Sequence, residues 1–161
     1  MTDKTIFIDQ LAACYDQNTW FVSLKHAIEG LSEEQAQWKS VSGTNSIQEI
    51  MNHLNFYNER YLLRFKGEEV LSSKGDNNTT FHVGKTSWHD TVENMESIFL
   101  SWREELHQSE DEKFTSVAYI NDDEPWSSVL THLFLHNTYH IGQILHIRKE
   151  QGSWDSVRGV H

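Results

Sequence analysis

Val129-Leu130-Thr131-His132-Leu133-Phe134-Leu135-His136-Asn137-Thr138-Tyr139-His140-Ile141-Gly142-Gln143-Ile144-Leu145-His146-Ile147 is the stretch on which the fold turns. It holds no proline and a single isolated glycine, so nothing in it stops a helix. With His132 set at zero, Val129 and Ile147 fall at about 60°, Leu133 at about 100° and Ile144 at about 120° around a helix. That arc is a core stripe. His136, at about 40°, and His140, at about 80°, project into it, while His132 sits on its rim and His146 lies outside, at about 320°. Leu130, Phe134, Ile141 and Leu145 fall between about 160° and 220° and extend the apolar arc to nearly half the helix. The first reading of that extension is burial against two neighbouring helices; the second is a homodimer interface.

Outward from this stretch, Pro125 suits the first turn of the helix and Gly152 its end, giving a span of about residues 125–150. Upstream, Ser87 with Asp90 opens a helix carrying Trp88, Val92, Met95, Phe99, Trp102 and Leu106. Ser46 with Glu49 is a capping-box pattern, followed by the stripe Ile47, Ile50, Leu54, Tyr57, Tyr61 as far as Phe65, before Gly67. A first helix is predicted over about residues 4–29 on Phe7, Leu11, Cys14, Phe21 and Ile28, ending at Gly30. Ser32-Glu33-Glu34-Gln35 reads as a capped short turn, residues 67–86 as a long crossover loop, and Glu110-Asp111-Glu112 as solvated loop. The expectation is an all-α four-helix bundle with a long crossover between helices two and three. No repeat period supports a helical array instead.

The composition agrees. The 161 residues suit one domain spanning 1–161, and 37% hydrophobic content with six Trp and eight Phe is too much for a disordered chain. One proline in the whole chain argues against the many turns of sandwiches and barrels. The net charge of −11 opposes binding to nucleic acid or to an anionic membrane surface. No run reaches the roughly 18 apolar residues of a membrane span, and the start of the chain is unlike a signal peptide. A cytoplasmic location is expected. The lone Cys14 reads as core packing rather than as a nucleophile.

Imidazoles at i and i+4 lie on one side of a helix and can share one metal ion, provided a third ligand exists. His53, flanking the stripe of the second helix, is one candidate and His26 on the first helix is another. His82, His89, His107 and His161 lie in the crossover, at helix ends or at the chain terminus.

The segment His136-Asn137-Thr138-Tyr139-His140-Ile141-Gly142-Gln143-Ile144 resembles the H-x-x-x-H-x-G-Q-I/V signature of the DinB/YfiT-like superfamily. Ile47, Ile50, His53 and Leu54 are similar to that family's other motif, and Leu31 to Gln35 followed by Trp38 also resemble its pattern. The resemblance covers nearly the whole chain. It implies an up-down-down-up four-helix bundle, often dimeric, with His53, His136 and His140 as metal ligands. Ile141 stands where many relatives place Arg, so no anion-binding role is carried over to that position. Several relatives are thiol-dependent transferases or isomerases, and others have been called metal-dependent hydrolases.

Three neutral imidazoles leave an ion with its full charge and an open position, as in catalytic sites. A coordinated water or thiol would lose its proton near neutral pH. The motif holds no Glu of the H-E-x-x-H kind, which removes the general base of a zinc peptidase. The expected function is a thiol-dependent S-transferase acting on small electrophiles, with a low-molecular-weight thiol as cosubstrate. The alternatives are a metal-dependent hydrolase and a non-catalytic metal- or ligand-binding stress module. The expected ion is Zn²⁺ first and Ni²⁺ next, because imidazole suits both.

Overall fold

The computed structural model describes residues 3–43, 45–70, 76–119 and 123–158. These residues are all-helical apart from one isolated bridge between Val117 and Pro125. The α-helices are α1 (Asp3–Tyr15), α2 (Leu24–Ile28), α3 (Glu33–Gln37), α4 (Ile47–Phe65), α5 (Trp88–Gln108), α6 (Asp111–Thr115) and α7 (Trp126–Glu150), and 3-10 turns form at Asn77–Phe81, inside the crossover read as loop, and at Ser156–Arg158. Helix α1 packs on α5 and α7, and α4 packs on the same two, so the four longest helices enclose one core. None is long and apolar enough to cross a membrane.

The capping signals act as read. Ser46 Oγ accepts from Glu49 N–H at 3.2 Å and Glu49 returns a carboxylate to Ser46 N–H at 2.7 Å. Ser32 and Gln35 form the same reciprocal box at the head of α3. Ser87 accepts from Asp90 N–H and starts α5. Each pair satisfies backbone donors that a helix start leaves open. The core is built on Trp102, Phe99, Phe114, Leu130 and Ile141, all fully buried.

Two expectations fail. The helix predicted over residues 4–29 stops at Tyr15 and resumes as α2. Asn18 Oδ1 accepts from both Ser23 N–H (3.0 Å) and Ser23 Oγ (3.2 Å), so its side chain offers the backbone a turn in place of the helix ladder. Trp20, at the tip of that turn, is 95% exposed. The second failure is Glu110-Asp111-Glu112, read as loop. Glu110 is instead the N-cap of α6, whose one apolar residue, Phe114, is buried and stacks on Phe7 with ring centroids 5.4 Å apart. The burial of Phe114 holds the short helix that local propensity alone does not.

A polar clasp crosses the core between α4 and α7. Asn58 Nδ2 donates to Asn137 Oδ1 at 2.8 Å, Asn137 Nδ2 donates back to Asn58 Oδ1 at 2.9 Å, and both residues are fully buried. Trp102 Nε1 donates to the Asn58 carbonyl at 3.0 Å. A slide of either helix would orphan two buried amides, at roughly 1–3 kcal/mol each. The clasp sets the register of the two helices next to His136.

Leu130, Phe134 and Ile141, on the extended arc of α7, are buried within the chain itself. Burial thus accounts for those three, and Leu145 is partly buried against the same core. Cys14 lies against it, its Sγ 3.5 Å from the Phe134 carbonyl, and burial pushes its thiol up to about 11. Such a thiol is inert.

Candidate metal centre

Four structural facts bring three histidines together: the capped start of α4, the unbroken α7, their clasped register, and the Asn77–Phe81 turn of the crossover packed on α4. On α4, burial of Ile47, Ile50 and Leu54 carries His53 inward on their flank to 3% exposure. On α7, His136 and His140 stand one turn apart on the face toward α4. The outcome is a tight trio, with His53 Nε2 3.0 Å and His140 Nε2 3.1 Å from His136 Nε2. Among the described residues this is the group of side chains positioned for metal binding.

The outer ring nitrogens reveal which tautomers are present. Thr80 Oγ1 spends its proton on the Asn77 carbonyl (2.6 Å) and so accepts from His53 Nδ1–H (2.6 Å). Gln143 Oε1 can only accept, so His140 Nδ1 carries the proton of their 2.7 Å bond, while Gln143 Nε2 donates to the Tyr139 hydroxyl at 3.1 Å. His53 and His140 therefore both turn bare Nε2 lone pairs toward His136. One proton on His136 Nε2 cannot face both well. A divalent ion at the meeting point answers all three lone pairs, since nitrogens about 2 Å from one ion stand about 3 Å apart. The donor set fits such an ion, with Thr80 and Gln143 as the outer partners that metal-binding histidines normally have.

The rings are held neutral. Burial first, then the neighbouring His140 and His136, pushes His53 down to about 3. Burial and His140 push His136 down to about 4, and burial also lowers His140. Each is in the ligating form at neutral pH. Phe81 stacks on the His53 ring with centroids 4.0 Å apart, which excludes water on that side.

The trio lies in the wall of a cleft of about 460 Å³. Its other lining residues include Tyr57, Tyr61, Phe81, Tyr119, Glu124 and His132. A roomier hollow of about 590 Å³, bounded by Asp16, Lys25, Trp88 and Met95, contains no such trio.

Of the other histidines, His26 Nδ1 pairs with Ser23 Oγ at 2.8 Å and takes no part in the trio, which removes it as third ligand. His89 and His146 lie beside Glu93 and Glu150 on the surface, His82 and His107 are exposed, and His161 lies outside the described residues. Among the aromatics, Tyr57 lines the cleft, Trp126 is buried in the core, and Trp20 stands in solvent. Sequence reasoning missed Thr80, Phe81, Tyr119 and Glu124. Gln143 was inside the motif but without a role; its position three residues after His140 was the available signal.

No curated protein matches the chain in sequence. The family model described as the DinB superfamily matches residues 18–144, a span that takes in α4, the crossover and all three histidines of the trio. On a match over most of its length, and with the trio in place, the chain belongs to the DinB superfamily.

Proposed function

We propose that the protein is a metal-dependent S-transferase that joins a low-molecular-weight thiol to a small electrophile, with His53, His136 and His140 holding the ion. The observation that carries this reading is the cleft opening directly onto three converging, neutral imidazoles. A purely structural or storage site would have no need of about 460 Å³ of lined space beside it. When bound, a divalent ion lowers the pKa of a coordinated thiol or water and so prepares a nucleophile. The chain's own residues do the rest. Thr80 and Gln143 lock the two outer tautomers, Phe81 shields His53, and the tyrosines form a wall against which a small apolar electrophile packs.

Zn²⁺ is the first candidate ion and Ni²⁺ the next. We read residues 1–161 as one domain and the four long helices as an up-down-down-up bundle; their closed ring of contacts and the long crossover support this. A cytoplasmic setting suits the single unpaired cysteine. A homodimer of the kind the resemblance implies would meet on the other face of α7, where Leu135 and Tyr139 are exposed.

The test is direct. Metal-loaded protein should consume a small electrophile such as 1-chloro-2,4-dinitrobenzene faster with an added low-molecular-weight thiol than without, and His136→Ala should abolish the gain. Ester cleavage with no thiol present would favour the hydrolase reading instead.

A further inference from the structure

One carboxylate lines the cleft apart from the three histidines, and it bears on what enters. Among its lining residues Glu124 is the one Asp, Glu, Lys or Arg. Its Oε1 accepts from Ser128 Oγ at 2.7 Å and lies 3.6 Å from His132 Nδ1. Among the described residues no Lys or Arg pairs with it, and Oε2 has no hydrogen-bond partner. At one-third exposure the carboxylate stays in contact with solvent in the cleft, where a cationic group entering could meet it. His132 stands one helical turn before His136, so Glu124 lies beyond the trio toward the start of α7.

With an ion on the trio, one end of the cleft is positive and the other negative. A ligand that carries an ammonium group is repelled from the first and drawn to the second. Tyr57, which also lines the cleft, adds a ring of the kind that accepts cations. The rings of Tyr61 and Tyr119 already meet a cation, Arg64, at 5.5 and 5.2 Å from their centres, and Arg64 does not line the cleft itself.

We infer that the thiol cosubstrate is an aminothiol, whose ammonium group is held by Glu124 while its sulfur is directed to the three-histidine end. This rests on the thiol-transfer reading above and adds the class of thiol to it. Two matched probes separate the ideas: 3-aminopropane-1-thiol and 3-mercaptopropan-1-ol share the sulfur and chain length and differ in the ammonium.

Binding is followed on cobalt-loaded protein at pH 7 by the absorption band that a sulfur gives on joining cobalt, so turnover is not needed. The aminothiol should bind about ten- to a hundredfold more tightly than the alcohol, the worth of one hydrogen bond to a charged group. Glu124→Gln, which keeps the size and the contact with Ser128, should erase the preference for the aminothiol over the alcohol. Equal binding of both thiols to the unaltered protein overturns the aminothiol assignment while leaving the thiol reading intact. A preference that survives Glu124→Gln overturns the role of Glu124. Absence of binding by either thiol removes the thiol reading and this inference with it. The comparison on unaltered protein stands even if the variant does not fold.

Discussion

Helix α7 faces two seams made of opposite materials. Toward α1 it presents Phe134, which meets Phe7 at 6.4 Å between ring centroids, and the thiol of Cys14. Toward α4 it presents His136, Asn137 and His140, which meet His53 and Asn58. The α1 seam is held by area and fit, and any well-sized apolar side chain would serve it. The α4 seam is held by named partners, each fixing the next, and the same partners assemble a site. Apolar packing and the candidate site are thus carried on different faces of one helix.

The largest break in this comparison comes from exchanging one residue on each face. His53→Ala or His140→Ala should abolish metal content, read by elemental analysis of protein purified without refolding, while the protein stays folded. Phe134→Ala should lower unfolding stability by about 3–5 kcal/mol in denaturant melts, yet keep the metal stoichiometry of the unaltered chain. Unchanged metal in both histidine variants would end the ligand assignment.

A smaller effect belongs to the crossover. Thr80→Val removes the acceptor for His53 Nδ1–H and should weaken metal affinity about 10- to 100-fold, whereas Thr80→Ser should keep it. Competition with a chromogenic chelator distinguishes the two. Equal affinity in both would show that Phe81 stacking alone orients His53.

The smallest is a dependence on pH in the metal-free protein. His53 and His136 have folded values of about 3 and about 4, below the ordinary 6.5 of the unfolded chain. The unfolded state therefore binds protons first as pH falls. Their stabilising effect is complete above about 6.5 and declines as pH drops toward 4. Thermal midpoints should fall across that window, and by less in His53→Phe. A flat profile from pH 7.5 to 5 would show that burial does not hold these rings neutral.

Much of this was legible beforehand, for particular reasons. The angular positions of His136 and His140 follow from helix geometry, because nothing between residues 126 and 150 interrupts the helix. The capping boxes at Ser32 and Ser46 are local chemistry and were readable as such. The break after Tyr15 was not, because Phe21 and Ile28 keep helical spacing across a turn that Asn18 imposes. Helix α6 escaped for the opposite reason: five residues are too few for a period, and its anchor is a stack with distant Phe7. The bond from Thr80 to His53 spans 27 residues and leaves no local trace. His53 as third ligand was suggested by resemblance, and geometry now brings it to the trio.

The Asn58–Asn137 clasp separates two events in time. It sets the register of α4 and α7 with groups that need no ion, so the chain can complete its fold before anything is loaded. Small metal domains that fold only around their ion lose both together when a chelator is added. An ion taken up by the trio would instead join a chain already folded, and a chelator could remove it without unfolding the protein.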